Sequence, residues 1–112
     1  HGVHSAALCD AKSILIFADD IGRHNAIDKV IGECIMSDIP TGNCGLMFSG
    51  RISSEMLLKA ARRGIPIVVS VAAPTNVAMR MATDIGMTVV GMVRGKRMNV
   101  YAGAWRITSD ER

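Results

Sequence analysis

The chain has 112 residues, 49% of them hydrophobic, and a formal net charge of +3. That is one domain's worth of polypeptide with enough apolar material for a core, which excludes a disordered chain. No apolar run approaches the ~20 residues of a membrane span, and no basic segment followed by an apolar one opens the chain as a signal peptide would.

Val3 to Cys9 has the composition of a first strand, and Asp10-Ala11-Lys12-Ser13 turns it into a second, Ile14 to Ala18, as a hairpin. A polar cluster follows, from Asp19 to Lys29. After it, Ile27, Val30, Ile31, Cys34 and Ile35 recur at the spacing of one helix face, so a helix is predicted to about Met36. The cluster therefore lies at a strand-to-helix junction, where unpaired N–H groups and the positive end of the helix dipole are presented. The plain alternative is a solvated helix start, with Asp20 as a cap and Asp28 paired to a neighbour.

Pro40, Gly42 and Gly45 mark the connection to a strand at Leu46 to Ser49. Gly50 to Glu55 then leads into a second helix with Met56, Leu57, Ala60 and Ala61 inward, stopped by Gly64. Ile65 to Val71 is a β-branched strand with Pro66 at its entrance. Pro74 and Thr75 open a third helix lined by Val77, Ala78, Met81, Ala82 and Ile85, and Gly86 ends it. Met87 to Val93 and Met98 to Tyr101 are the last strands. A hairpin followed by helix–strand alternations gives an α/β layered sheet with parallel later strands.

The three cysteines include no C-x-x-C pair, which argues against a disulfide framework and for a reducing, cytoplasmic setting. Cys34 falls on the inner helix face, Cys9 ends a strand beside Asp10, and Cys44 belongs to a turn expected to be exposed. Each is read as structural, because a reactive thiol needs both access and a lowered pKa.

In α/β sheets, ligands bind beyond the carboxyl ends of the strands. Three loops expected there are rich in chemistry: Asp20, Gly22, Arg23, His24 and Asn25; then Ser49, Gly50, Arg51, Ser53 and Ser54; then Ala73, Pro74, Thr75 and Asn76. Each ends at a helix N-terminus, which suits an anion. Gly22 and Gly50 admit close backbone approach, although turn geometry alone explains them too. Arg51 can fork two phosphate oxygens, its alternative being a surface pair with Glu55 four residues on. Arg94, Lys96 and Arg97 gather around Gly95 like a phosphate-facing loop. The basic residues form no wide stripe with interleaved aromatics, so nucleic acid is not the favoured partner.

These residues also carry a resemblance. Gly2 to Leu8, the block Asp20-Ile21-Gly22-Arg23-His24-Asn25-Ala26-Ile27-Asp28-Lys29, Ser49-Gly50-Arg51, Lys59-Ala60-Ala61-Arg62, Ser70 to Thr75, Gly91, Arg94-Gly95 and Arg97 to Tyr101 are together similar to the formate dehydrogenase accessory sulfurtransferase family. The similarity runs in order along nearly the whole chain. It implies a cytidine deaminase-like fold, a three-layer α-β-α sandwich with a mixed sheet and helices on both faces. Residues 1–112 would form a single α/β domain, the main domain of a longer parent protein, since the chain opens on His1 rather than Met.

The function implied is sulfur transfer from a cysteine desulfurase to the bis-molybdopterin guanine dinucleotide cofactor, carrying Mo or W, that formate dehydrogenase requires. The resemblance also implies a homodimer. Its persulfide travels on a C-x-x-C loop upstream of the Gly-Val-His segment, and Cys9, Cys34 and Cys44 match no such position. The expected cofactor-binding residues are Asp20, Gly22, Arg23, His24, Asn25, Ser49, Gly50, Arg51, Ser53, Pro74, Thr75, Arg94 and Arg97, with GDP-like nucleotides as mimics. A zinc deaminase is disfavoured, because Arg23-His24-Asn25-Ala26 and Ser49-Gly50-Arg51-Ile52-Ser53 leave too few soft ligands for the metal. A non-catalytic chaperone for the molybdenum cofactor or for guanine nucleotides is the alternative from another functional class.

Overall fold

The structure is a computed structural model and describes residues 2–107. Its elements are β1 (His4–Cys9), β2 (Ile14–Asp20), α1 (Arg23–Met36), β3 (Gly45–Phe48), α2 (Ser54–Arg62), β4 (Ile67–Ser70), α3 (Asn76–Ile85), β5 (Thr88–Arg94) and β6 (Arg97–Ala102), followed by a short 3₁₀ turn at Ala104–Arg106. The expected hairpin forms because the Asp10 carboxylate accepts the backbone N–H groups of Lys12 and Ser13, each at 2.8 Å, and so closes the turn locally. β2 runs to Asp20, past the expected Ala18, because Ser5 and His4 continue the ladder opposite Asp19 and Asp20.

The six strands form one mixed sheet in the order β2-β1-β3-β4-β5-β6. β1 is antiparallel to both β2 and β3, the pairs β3–β4 and β4–β5 are parallel, and β6 returns antiparallel on β5. One row of side chains crosses the sheet from Ile16 through Leu8, Leu46 and Val68 to Val89. All five are buried, together with Ile27, Val30, Met56, Leu57, Ala78 and Ala82 from the helices. Each large aliphatic side chain in that layer contributes about 1.5–3 kcal/mol through burial.

The mixed α/β sheet is as expected, and its three described helices lie together on one face. Each crossover, β2 to β3, β3 to β4 and β4 to β5, advances the same way along the sheet, and right-handed connections in one direction place their helices on one face. Accordingly α1 packs on β1 and β2 and touches α2, which touches α3. Among the described residues the opposite face has no helix over it. There Phe17, Ala7, Met47 and Val69 form the next cross-strand row, and Phe17 and Met47 are 59% and 42% exposed.

Two helices bury less than their periodicity predicts. In α1 the buried residues are Ala26, Ile27, Val30 and Cys34, Ile31 is half-buried, and Ile35 is exposed. In α3 only Ala78 and Ala82 are buried, Met81 is half-buried, and Val77 and Ile85 are exposed. α2 behaves as expected, with Met56, Leu57 and Ala60 inward, and the Gly86 stop adopts the left-handed conformation at φ +77.

Candidate functional site

β2 is parallel to β3 through the intervening antiparallel β1, so β2, β3, β4 and β5 all end at one edge of the sheet. The start of β1 and the β5–β6 turn lie at that same edge. The first loop is organised by Asp20. Its carboxylate pairs with Lys29 Nζ at 2.8 Å and accepts the Gly22 N–H at 2.9 Å and Asn25 Nδ2 at 3.4 Å. Lys29 Nζ also donates to the Asp19 carbonyl at 3.0 Å, so one ammonium ties the helix back to the strand end. The Lys29 hydrogen bond first, and the Gly22 N–H second, hold the Asp20 carboxyl at a pKa of about 2.

Asp20 therefore fixes the loop rather than capping the helix. The N-cap of α1 is Gly22, with no side-chain cap, so the first-turn N–H groups keep their capacity for an anion. A Cβ on Gly22 would meet Asn25 Nδ2 at 2.9 Å; the glycine makes room for its own loop. Arg23 is exposed, and His24 is half-buried with Nε2 3.5 Å from Glu55 Oε1 at the start of α2.

The second loop is stitched to β1 by the Ser5 N–H donating to Ser49 Oγ at 2.9 Å and the Ser49 N–H donating to the Ser5 carbonyl at 3.0 Å. The Ser5 hydroxyl in turn donates to Asp19. Gly50 lies against Phe48, where a Cβ would come within 2.8 Å of the ring, and His4 stacks on that same ring at 5.7 Å. Ser53 caps α2 by accepting the Met56 N–H at 3.3 Å. Arg51 is exposed, and among the described residues no carboxylate pairs with it. The alternative pair with Glu55 does not form, because Glu55 faces His24, while Asp28 takes Lys59 at 2.8 Å.

The third loop joins the second through backbone. Ile52 and Pro74 form a parallel bridge, and the Thr75 N–H donates to the Ile52 carbonyl at 2.9 Å. Thr75 Oγ1 caps α3 by accepting the Ala78 N–H at 3.1 Å. Buried Ser70 links both loops, donating to the Gly50 carbonyl and accepting the Ala72 N–H. Pro74 is buried and acts in packing. Gly91 of β5 completes the support, lying where a Cβ would meet the Ala72 carbonyl at 2.7 Å.

Three of the expected loops are thus connected into one unit. Arg94 and Arg97 face each other across the two-residue β5–β6 turn, with Gly95 at φ +57, and both are exposed at the same edge. No hydrogen bond joins that tip to the three loops among the described residues. Sequence reasoning missed Lys29 and Ser70 as loop anchors. The only signal for Ser70 is a hydroxyl closing an apolar β-branched run.

The cysteines lie away from this edge. Cys34 is fully buried late in α1, and Cys9 ends β1 at the opposite edge with Sγ 3.3 Å from Met47 Sδ. Cys44 is not exposed as expected: it is 3% accessible, its Sγ directed at the Pro40 carbonyl. Burial, then the charge of Asp10, raises the thiol pKa of both Cys9 and Cys44. Among the described residues no three His, Cys, Asp or Glu side chains gather as metal ligands.

The family model described as FdhD/NarQ matches residues 1–108, which takes in every loop described above. The chain belongs to the FdhD/NarQ family. It is 52% identical over 107 residues to the sulfur carrier protein FdhD of Bacillus pumilus, covering 96% of this chain and 41% of that protein. It is 49% identical to that of Bacillus subtilis, over 95% of this chain and 40% of that one. The chain thus spans about two-fifths of the length of these FdhD relatives. A crystal structure described as a formate dehydrogenase accessory protein from Desulfotalea psychrophila superposes with a TM-score of 0.89 at 36% identity, over 96% of this chain and 46% of that one.

Proposed function

We propose that this chain supplies the cofactor-binding part of a sulfur carrier serving formate dehydrogenase. In this reading the bis-molybdopterin guanine dinucleotide is the cargo, its phosphates lying across the carboxyl edge of the sheet. The observation that carries the reading is the joining of three βα loops into one platform, with Arg51 exposed beside it and paired with no carboxylate among the described residues. Two exposed guanidinium groups, Arg23 and Arg51, and the uncapped start of α1 fit a polyphosphate in charge and in donor chemistry. Arg94 and Arg97 extend the positive edge.

Asp20 and Lys29 hold the first loop, Ser70 holds the second against the third, and the arginines meet the anion. Sulfur comes from a cysteine desulfurase and leaves with the cofactor for formate dehydrogenase, in the homodimer that the resemblance implies and the cytoplasmic setting that the cysteine usage suggests. A second reading, a cofactor chaperone without its own sulfur chemistry, is favoured by one observation: all three thiols lie away from the platform. Both readings use the same loop platform. The test of the site is amide NMR of the labelled chain titrated with GDP. Shifts are expected at Gly22 to Asn25, Ser49 to Ser53 and Thr75 to Asn76, and shifts confined to other segments, or none, overturn the reading.

A further inference from the structure

A second surface lies on the helical layer, between α1 and α2. Asp28, Ile31 and Ile35 from α1 and Lys59, Arg62 and Arg63 from the end of α2 line an open groove of about 230 Å³. Its apolar strip is built by half-buried Ile31 and by Ile35, which is 54% exposed; Met36, one residue on, is 85% exposed. The helical spacing predicts Ile35 to face inward, yet the fold leaves it outside, on the floor of this groove. Isolated exposed aliphatic residues are ordinary. These adjoin a basic wall.

The wall is not neutralised from within. Asp28 is bound to Lys59 across the two helices at 2.8 Å, which leaves the two guanidinium groups without a carboxylate among the described residues. Arg63 is half-buried, and its Nε is buried with no hydrogen-bond partner among the described residues. Exposed Arg62 presents a planar fork that a carboxylate matches with two hydrogen bonds. The same two residues sit at the negative end of the α2 dipole, which keeps them anchored there.

We infer that the α1–α2 groove docks an acidic, amphipathic helical segment of a partner protein, whose aliphatic side chains cover Ile31 and Ile35 while its carboxylates meet Arg62 and Arg63. Complementarity of charge and of apolar surface together select this class, which is the helix-in-groove mode of recognition. A nucleic acid or a free polyanion would use the arginines and leave the isoleucines in water. The groove lies on the helices, apart from the loop platform, so this inference does not depend on what the platform binds.

The test is a selection of helical 16-residue peptides displayed on phage against the immobilised chain, with winners measured by fluorescence anisotropy. Winners are expected to carry Leu or Ile at i, i+3 or i+4 beside Asp or Glu. They should lose at least about tenfold in affinity on Arg62→Ser and again on Ile35→Ser. Both substituted residues are exposed, and thermal melts of the variants confirm that the fold persists. Winners without that pattern, winners indifferent to both substitutions, or no winners at all overturn the inference. A labelled oligothymidylate that binds the chain and is weakened by Arg62→Ser, but not by Ile35→Ser, overturns it as well, because the surface is then a polyanion site.

Discussion

Lys29 reaches back to Asp20 at 2.8 Å and to the Asp19 carbonyl at 3.0 Å, so the helix that begins the candidate site also fixes the strand end that precedes it. The pair makes the loop's geometry depend on one ionisation. The Asp20 carboxyl titrates at about 2 in the folded chain, against ~3.9 in an unfolded one. A carboxylate whose pKa is lowered by folding stabilises the fold above the unfolded value and loses that contribution as pH falls through the folded value. The window here runs from about pH 4 down to about 2. Carboxyl NMR should find Asp20 titrating near the bottom of that window, and Lys29→Met should move it back toward the ordinary carboxylate value. An unchanged titration in that variant would mean that the ion pair does not hold the loop.

Gly91 and Gly32 should respond in opposite directions to alanine. A Cβ at position 91 would meet the Ala72 carbonyl at 2.7 Å and Tyr101 Cε2 at 3.0 Å, so the backbone of the third loop must shift. The expected cost is about 1–3 kcal/mol, seen as a lower urea midpoint at unchanged slope. At position 32, inside α1, nothing lies within 4 Å of the added carbon, and Gly32→Ala should stabilise by about 0.5–1 kcal/mol. Destabilisation at both positions would contradict the packing described around them.

The thiols should be poor sulfur acceptors. Cys34 and Cys44 are buried, and Cys9, although half-buried, has its thiolate disfavoured first by burial and then by Asp10. Incubation with a cysteine desulfurase and free cysteine, followed by intact mass, should show no stoichiometric gain of a sulfur atom. A thiol reagent should modify Cys9 before the other two. Full sulfur loading that disappears on Cys9→Ala would place the chemistry at the wrong edge of the molecule.

Local features were the legible ones. The helix start at Thr75, the stop at Gly86 and the Asp10 turn each depend on hydrogen bonds within a few residues, and all stand where the spacing predicts. The loops of the candidate site were legible for the same reason, since each follows a strand and opens a helix. What was not legible depends on neighbours distant in sequence. Glu55 pairs with His24 instead of leaving Arg51 neutralised because α1 and α2 start side by side. Cys44 is buried although its turn is rich in glycine, and Ile35 is left outside because the apolar stripe of α1 is narrower than its periodicity. That all three helices share one face follows from strand order, which no local pattern carries.

Calorimetry with GDP and with guanosine tests most directly whether the loop platform anchors phosphate through Arg51. GDP is expected to bind at least about tenfold more tightly than guanosine. Arg51→Lys, which keeps the charge but loses the planar fork, should give up roughly tenfold of the GDP affinity, or ~1.4 kcal/mol. Equal affinity for GDP and guanosine, or an Arg51→Lys chain that binds GDP as the parent does, would contradict a phosphate anchor at Arg51.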